Sequence, residues 1–207
     1  SWCWTRALRA PRTNYPLPKV ARLSILLLSI LGNIFPDSPQ IVRQFLIGPN
    51  IMKLGTFLMP IHPPEKSRTE CFDEDTDFIV YADELGFTEA WCGHHVTIEW
   101  EPIVSNDIFL ANLIARTKNI KLGVGVSILP QHHPANVAAR IAMLDHLSHG
   151  RLLWGFGQGG VPTDWSLFDL PEPKVQGQMT AEALEIILML WTQDPPYSLC
   201  GPCGARS

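Results

Sequence analysis

Two adjacent histidine pairs, His94-His95 and His132-His133, are the side chains of this sequence with the most chemistry open to them. Imidazole is the group most easily poised near neutral pH as an acid or base, and it is also a common metal ligand. Neighbouring residues on a strand point to opposite faces, so one pair cannot readily offer two ligands to one ion. No carboxylate stands at ligand spacing either, which argues against a metal centre. His132 and His133 directly precede Pro134 at a helix entrance, where capping is the simpler role. For His94 two readings stay open: an active-site group at a strand end, or a satisfied polar residue beneath a loop. Gly155-x-Gly157-x-x-Gly160 satisfies the GxGxxG pattern of a dinucleotide site, but Val161-Pro162 stands where the helix should open, and no acidic residue ends a strand about 20 residues later. A glycine-rich strand end lining a ligand mouth fits better. Cys200-Gly-Pro-Cys203 lacks a second cysteine pair and a strand-to-helix setting, and reads as a chance CxxC.

The elements that must position these residues are legible from Met52 onward. Residues 53–59 form a short strand stopped by Pro60, and residues 73–85 a helix with Phe78, Ala82 and Leu85 on its stripe and Gly86 as its stop. Residues 89–92 form a second strand that runs into Gly93-His94-His95. Asn106 caps a helix reaching Thr117, apolar almost all round and therefore expected to be buried. In residues 120–129 Ile120, Leu122, Val124, Val126 and Ile128 alternate with Lys121, Gly123, Gly125 and Ser127, so one strand face is bulky and the other nearly bare. A bare face makes room for something flat. Pro134 opens a helix carrying Val137, Ile141 and Leu144, Gly150 closes it, and residues 151–156 return as an apolar strand. After a loop over residues 161–175, Met179, Ala183, Ile186 and Leu190 mark a fourth helix. Four successive βα units, with short turns on one side and long loops on the other, predict an α/β fold: part of a (β/α)8 barrel rather than a doubly wound sheet. A whole barrel takes about 250 residues, and only about 140 here lie in the repeat.

The 207-residue chain is 46% hydrophobic and 17% charged, a globular composition. Residues 1–51 carry six basic residues and one acid, whereas the rest carries ten basic and nineteen acidic, so the main body lacks the clustered cations that nucleic acid requires. Five cysteines without regular spacing, Cys3, Cys71, Cys92, Cys200 and Cys203, indicate a reducing compartment, read as the cytoplasm. Residues 1–51 read as an extension unrelated to the rest of the chain, with a natural start at Met52. Their apolar run over residues 23–31 is shorter than the ~20 residues a bilayer span needs and is followed by no small-x-small cleavage site. The expected division is 1–51 extension, 52–193 half-barrel and 194–207 irregular tail.

Taken together, Gly93-His94-His95, Leu129-Pro130-x-x-His133-Pro134, Leu144-Asp145-x-Leu147-Ser148-x-Gly150-Arg151 and Gly155-x-Gly157-x-Gly159 resemble the bacterial luciferase-like flavin monooxygenase family, nearest to its limonene monooxygenase-like branch. The likeness covers residue 52 to about residue 192. It implies a (β/α)8 barrel that binds reduced FMN at the carboxyl ends of its strands and uses O2 to oxygenate a small organic substrate, with a flavin reductase as electron source. His94 would then sit beside the flavin ring and handle a proton or hold the oxygenated flavin. Gly125 and Val126 would form an irregular peptide, with cis as one form open to it, against which the ring rests. Gly157 and Gln158 would lie in the cofactor loop, Gln158 approaching the phosphate, and Phe57 would wall the substrate side. Alternatives are a relative that uses a deazaflavin coenzyme for hydride transfer, and a fragment without catalysis. Two departures stand out: relatives usually have Glu where this chain has Gly93, and loops after strands 7 and 8, common phosphate sites in such barrels, fall outside the four units seen here. Open strand edges lead us to expect homo-oligomers.

Overall fold

The computed structural model describes residues 53–197. The extension, its apolar run and the CxxC tail therefore lie outside the described residues. Four strands, β1 (Gly55–Leu58), β2 (Glu89–Cys92), β3 (Lys121–Ile128) and β4 (Leu152–Gly157), pair in parallel in the order β1-β2-β3-β4. The helices that return the chain between them are α1 (Arg68–Glu84), α2 (Asn106–Ile114) and α3 (Pro134–Leu147), with a 3₁₀ turn at Leu129–Gln131. Strand order following chain order is an arc of a barrel; a doubly wound sheet would reverse direction at a switch point.

The alternation of β3 decides which face is covered. Leu122 and Val124 are fully buried, in register with Ala90 and Cys92, and with α1, α2 and α3 they make the core. Each such aliphatic side chain taken from water contributes about 1.5–3 kcal/mol. The opposite face carries the row Phe57, Trp91, Gly123 and Leu153, paired across all four strands. Gly123 is bare, but not vacant: a Cβ there would stand 2.3 Å from Cδ2 of Trp91. The flat object that this glycine admits is the indole of the neighbouring strand.

Several boundaries differ from expectation. α1 begins five residues before position 73 because Ser67 and Glu70 form a capping box, and its buried stripe is Cys71, Asp75, Ile79 and Ala82, leaving Phe78 exposed. α2 is not buried all round, since Ile108 is 72% exposed. The interval expected to be a loop contains a further helix, α4 (Pro162–Leu167), before α5 (Pro173–Thr192). α5 packs on α3, where Trp191 Nε1 donates to the Ala138 carbonyl at 3.0 Å and its ring meets Trp154 edge-on. Gly86 (φ 86°) and Gly150 (φ 77°) close α1 and α3 in the left-handed region, as the sequence pattern requires.

Candidate functional site

The site lies where β2 and β3 end. Gly93 continues the β1–β2 ladder, its N–H donating to the Leu58 carbonyl at 2.9 Å, and His94 follows as the chain leaves the sheet. A side chain at Gly93 would strike Met59, and one at Gly125 would come within 2.9 Å of Phe57 Cε2. The Phe57 ring thus fills the space between these two glycines and lies at the site, against Gly125. The Gly125–Val126 peptide is cis, and the β3–β4 register shifts between Val124 and Ser127.

Asn106 holds this geometry. It is the first residue of α2, with Ser105 in the cap position, so its side chain is free for another task. At 3% exposure its Nδ2 donates to the Cys92 carbonyl at 3.0 Å and to the Val126 carbonyl at 3.3 Å, joining the end of β2 to the cis peptide of β3. The loop beyond His95 is tied down by Asp164 of α4, the helix that follows β4. Its buried carboxylate accepts from the N–H groups of Val96 (3.3 Å) and Thr97 (2.9 Å) and from the Thr97 hydroxyl (2.6 Å). Neither residue is legible as a site residue in the sequence. Asn106 has the spacing of a cap, and Asp164 bonds partners 67 and 68 residues away.

The two histidines of the first pair stand in unlike surroundings. His94 is 8% exposed, and its Nδ1 is buried without a partner among the described residues. Burial first, then the positive charges of His132 and His95, hold its pKa down at about 4, with Asp107 and Asp164 opposing. His94 is therefore a neutral imidazole near neutral pH. His95 Nδ1 lies 2.5 Å from Oε2 of Glu101, which is 6% exposed. His132 is also shifted down, by burial and then by Arg140, which pairs with Asp107 at 3.2 Å. His133 caps α3, accepting from the Ala135 N–H at 3.1 Å. The expected capping role fits His133; His132 instead faces the charges around His94.

Within β4, the Gly155 backbone passes Val124 so closely that a Cβ would lie 2.7 Å from the Val124 carbonyl oxygen, and Gly157 lies against Val126. Gly159 has φ 83°. Gln158 is exposed and leans on α5, its Oε1 3.2 Å from where a Cβ on Gly177 would sit. The helix whose absence argued against a GxGxxG site does open, at Pro162, but it is six residues long and belongs to the anchoring of the His loop. A cavity of about 190 Å³ opens between residues 129–134 and Met179, Glu182, Ala183 and Ile186 of α5, with His132 on its wall. Among the described residues no group of three or more His, Cys, Asp or Glu gathers to hold a metal, and no helix is long and apolar enough to cross a membrane.

The profile of the luciferase-like monooxygenase family matches residues 52–202. The chain is 37% identical over 147 residues to the 4-hydroxyprotoasukamycin monooxygenase of Streptomyces nodosus subsp. asukaensis, covering 71% of this chain and 39% of that protein. It is 37% identical over 133 residues to the limonene 1,2-monooxygenase of Rhodococcus erythropolis, covering 64% and 34%. Among solved structures it superposes on the oxygenating constituent of 3,6-diketocamphane monooxygenase from Pseudomonas putida, solved in complex with FMN, with a TM-score of 0.69 and 27% identity over 73% of this chain and 42% of that one. The chain thus spans about two fifths of the length of these relatives. The profile match over residues 52–202 and parallel strands in barrel order place this chain in the luciferase-like monooxygenase family.

Proposed function

We propose that this chain forms the flavin-side half of a monooxygenase site, acting with reduced FMN and O2 on a small organic substrate. The observation that carries the reading is His94: a buried, neutral imidazole with an unpartnered Nδ1 among the described residues, following the end of β2. Buried polar atoms are nearly always paired, so an orphan at the carboxyl end of a barrel strand points to a missing partner. The residues present suit a flavin. Gly125 and Val126 would back the ring, His94 would hydrogen-bond it, and Gly157 and Gln158 would line the way toward its phosphate. Bound FMN would supply the electron transfer and O2 chemistry. The chain's own part is to fix His94 through the Asn106 clamp, to close the loop over it through Asp164, and to exclude water. Phe57 would stand at the substrate side. The cavity walled by Leu129, Met179, Ala183 and Ile186, with His132 and Glu182 also on its wall, suits a small organic compound. A flavin reductase would supply the reduced cofactor, copies of the chain would associate through their open sheet edges, and the cytoplasm would be the site of action.

The described residues supply four of the eight strands of such a barrel. Titration of oxidised and reduced FMN into the full chain, read by flavin fluorescence, with His94→Ala alongside, tests the proposal. Saturable binding weakened by His94→Ala supports the reading. Binding of a deazaflavin coenzyme but not FMN would turn it to hydride transfer, and binding of neither by a folded chain would leave a fragment without catalysis.

A further inference from the structure

A carboxylate does stand against the histidine pair, on its second member. Glu101 stands six residues beyond His95, where the loop turns back on itself, its N–H donating to the Ile98 carbonyl at 3.1 Å. Its side chain is 8% exposed and that of His95 is 26% exposed. A carboxylate only accepts, so with Glu101 in that form the 2.5 Å contact places a hydrogen on His95 Nδ1. Only Nε2 is left to gain or lose a proton. That atom has no hydrogen-bond partner among the described residues, and it is not among the buried unpartnered atoms, so it is open to solvent or ligand. His94 is the reverse case, closed off and facing His132, His95, Asp107 and Asp164.

We propose that His95, fixed by Glu101, is the proton-transfer group of this face, and that His94 serves as a neutral hydrogen-bonding contact. His95 Nε2 takes one proton from solvent, giving an imidazolium paired with the Glu101 carboxylate, and passes that proton to a basic atom of the bound ligand, returning to the neutral ring. The Nδ1 hydrogen stays in place throughout, so the dyad is unchanged after each transfer. Glu101 is the positioning residue, choosing the tautomer and holding the ring.

The proposal takes its ligand from the flavin reading, but its first test needs no flavin. In the full chain labelled with ¹⁵N-histidine, long-range proton–nitrogen spectra at neutral pH should show His95 protonated at Nδ1. In Glu101→Gln, of nearly the same shape, the amide NH₂ can donate to Nδ1, and the ring hydrogen should move to Nε2 while the circular dichroism stays unchanged. A wild-type His95 protonated only at Nε2, or a tautomer indifferent to Glu101→Gln, overturns the dyad. With FMN and a reductase added, Glu101→Gln should lower turnover about a hundredfold at an unchanged FMN affinity; unchanged turnover also overturns it. Failure of the wild type to bind FMN would sink the flavin reading, and the tautomer spectra would still decide the dyad.

Discussion

The two ends of this sheet are built to different standards. At the end where strands begin, no buried side-chain polar atom is left without a partner among the described residues. The Asp83 carboxylate accepts from the N–H groups of Lys118, Asn119 and Ile120, at 2.6, 3.0 and 2.7 Å. Arg151 reaches the Thr117 hydroxyl and the carbonyls of Ile114, Ile120 and Ser148, all within 3.1 Å. At the end where strands finish, every buried side-chain atom left without a partner among the described residues is found: Asp75 Oδ2, His94 Nδ1, Gln131 Nε2, Trp165 Nε1 and Gln176 Oε1. Each lies in a segment leading from a strand into a helix, or in the first half of that helix. One end is organised for stability alone, and the other gives up some stability to keep polar groups available, as barrel enzymes do.

Substitutions can break or sharpen this contrast. Arg151→Ala removes a charge-assisted clamp of four hydrogen bonds and should cost about 3–4 kcal/mol in urea unfolding, without changing ligand affinity per folded molecule. At the other end, His94→Gln should change stability little at neutral pH and most in acid. Because the folded pKa of His94 is lowered from 6.5 to about 4, the unfolded chain binds the proton first. Its contribution is therefore full above pH 6.5 and is lost as pH falls toward 4, an effect of up to about 3 kcal/mol that the variant should lack when ΔG is followed against pH. Asp164→Asn replaces an acceptor of three donors by a weaker one and should cost about 2 kcal/mol, with faster amide exchange at Val96 and Thr97. Gln158→Ala, on an exposed residue, should change stability by less than about 0.5 kcal/mol while weakening FMN; unchanged FMN affinity would remove Gln158 from the site.

Periodicity explains how much of the molecule is legible in its sequence. The four strands, the βα order and the cap of α3 are readable because glycine, proline and alternating apolar residues act locally. Features that escape are either too short or too distant. α4 is six residues long, below any helical repeat, and Asp164 acts on a loop 67 residues earlier. The bare face of β3 does signal a close approach, but which ring accepts it depends on strand pairing, and at Gly123 it is Trp91. The buried stripe of α1 runs through Ile79 and not Phe78 because Ile79 and Ala82 pack into the core shared with the sheet, a tertiary contact that the helical period alone does not select. Glu101 and His95 meet across an irregular turn that carries no repeat.

The most direct test of the contrast between the ends is amide hydrogen exchange of the full chain with and without reduced FMN under anaerobic conditions. The account predicts new protection confined to residues 92–97, 125–133 and 157–165, with residues 83–88, 117–121 and 148–152 unchanged and already slow. Protection appearing at the strand-start end, or spread evenly over both, would contradict it.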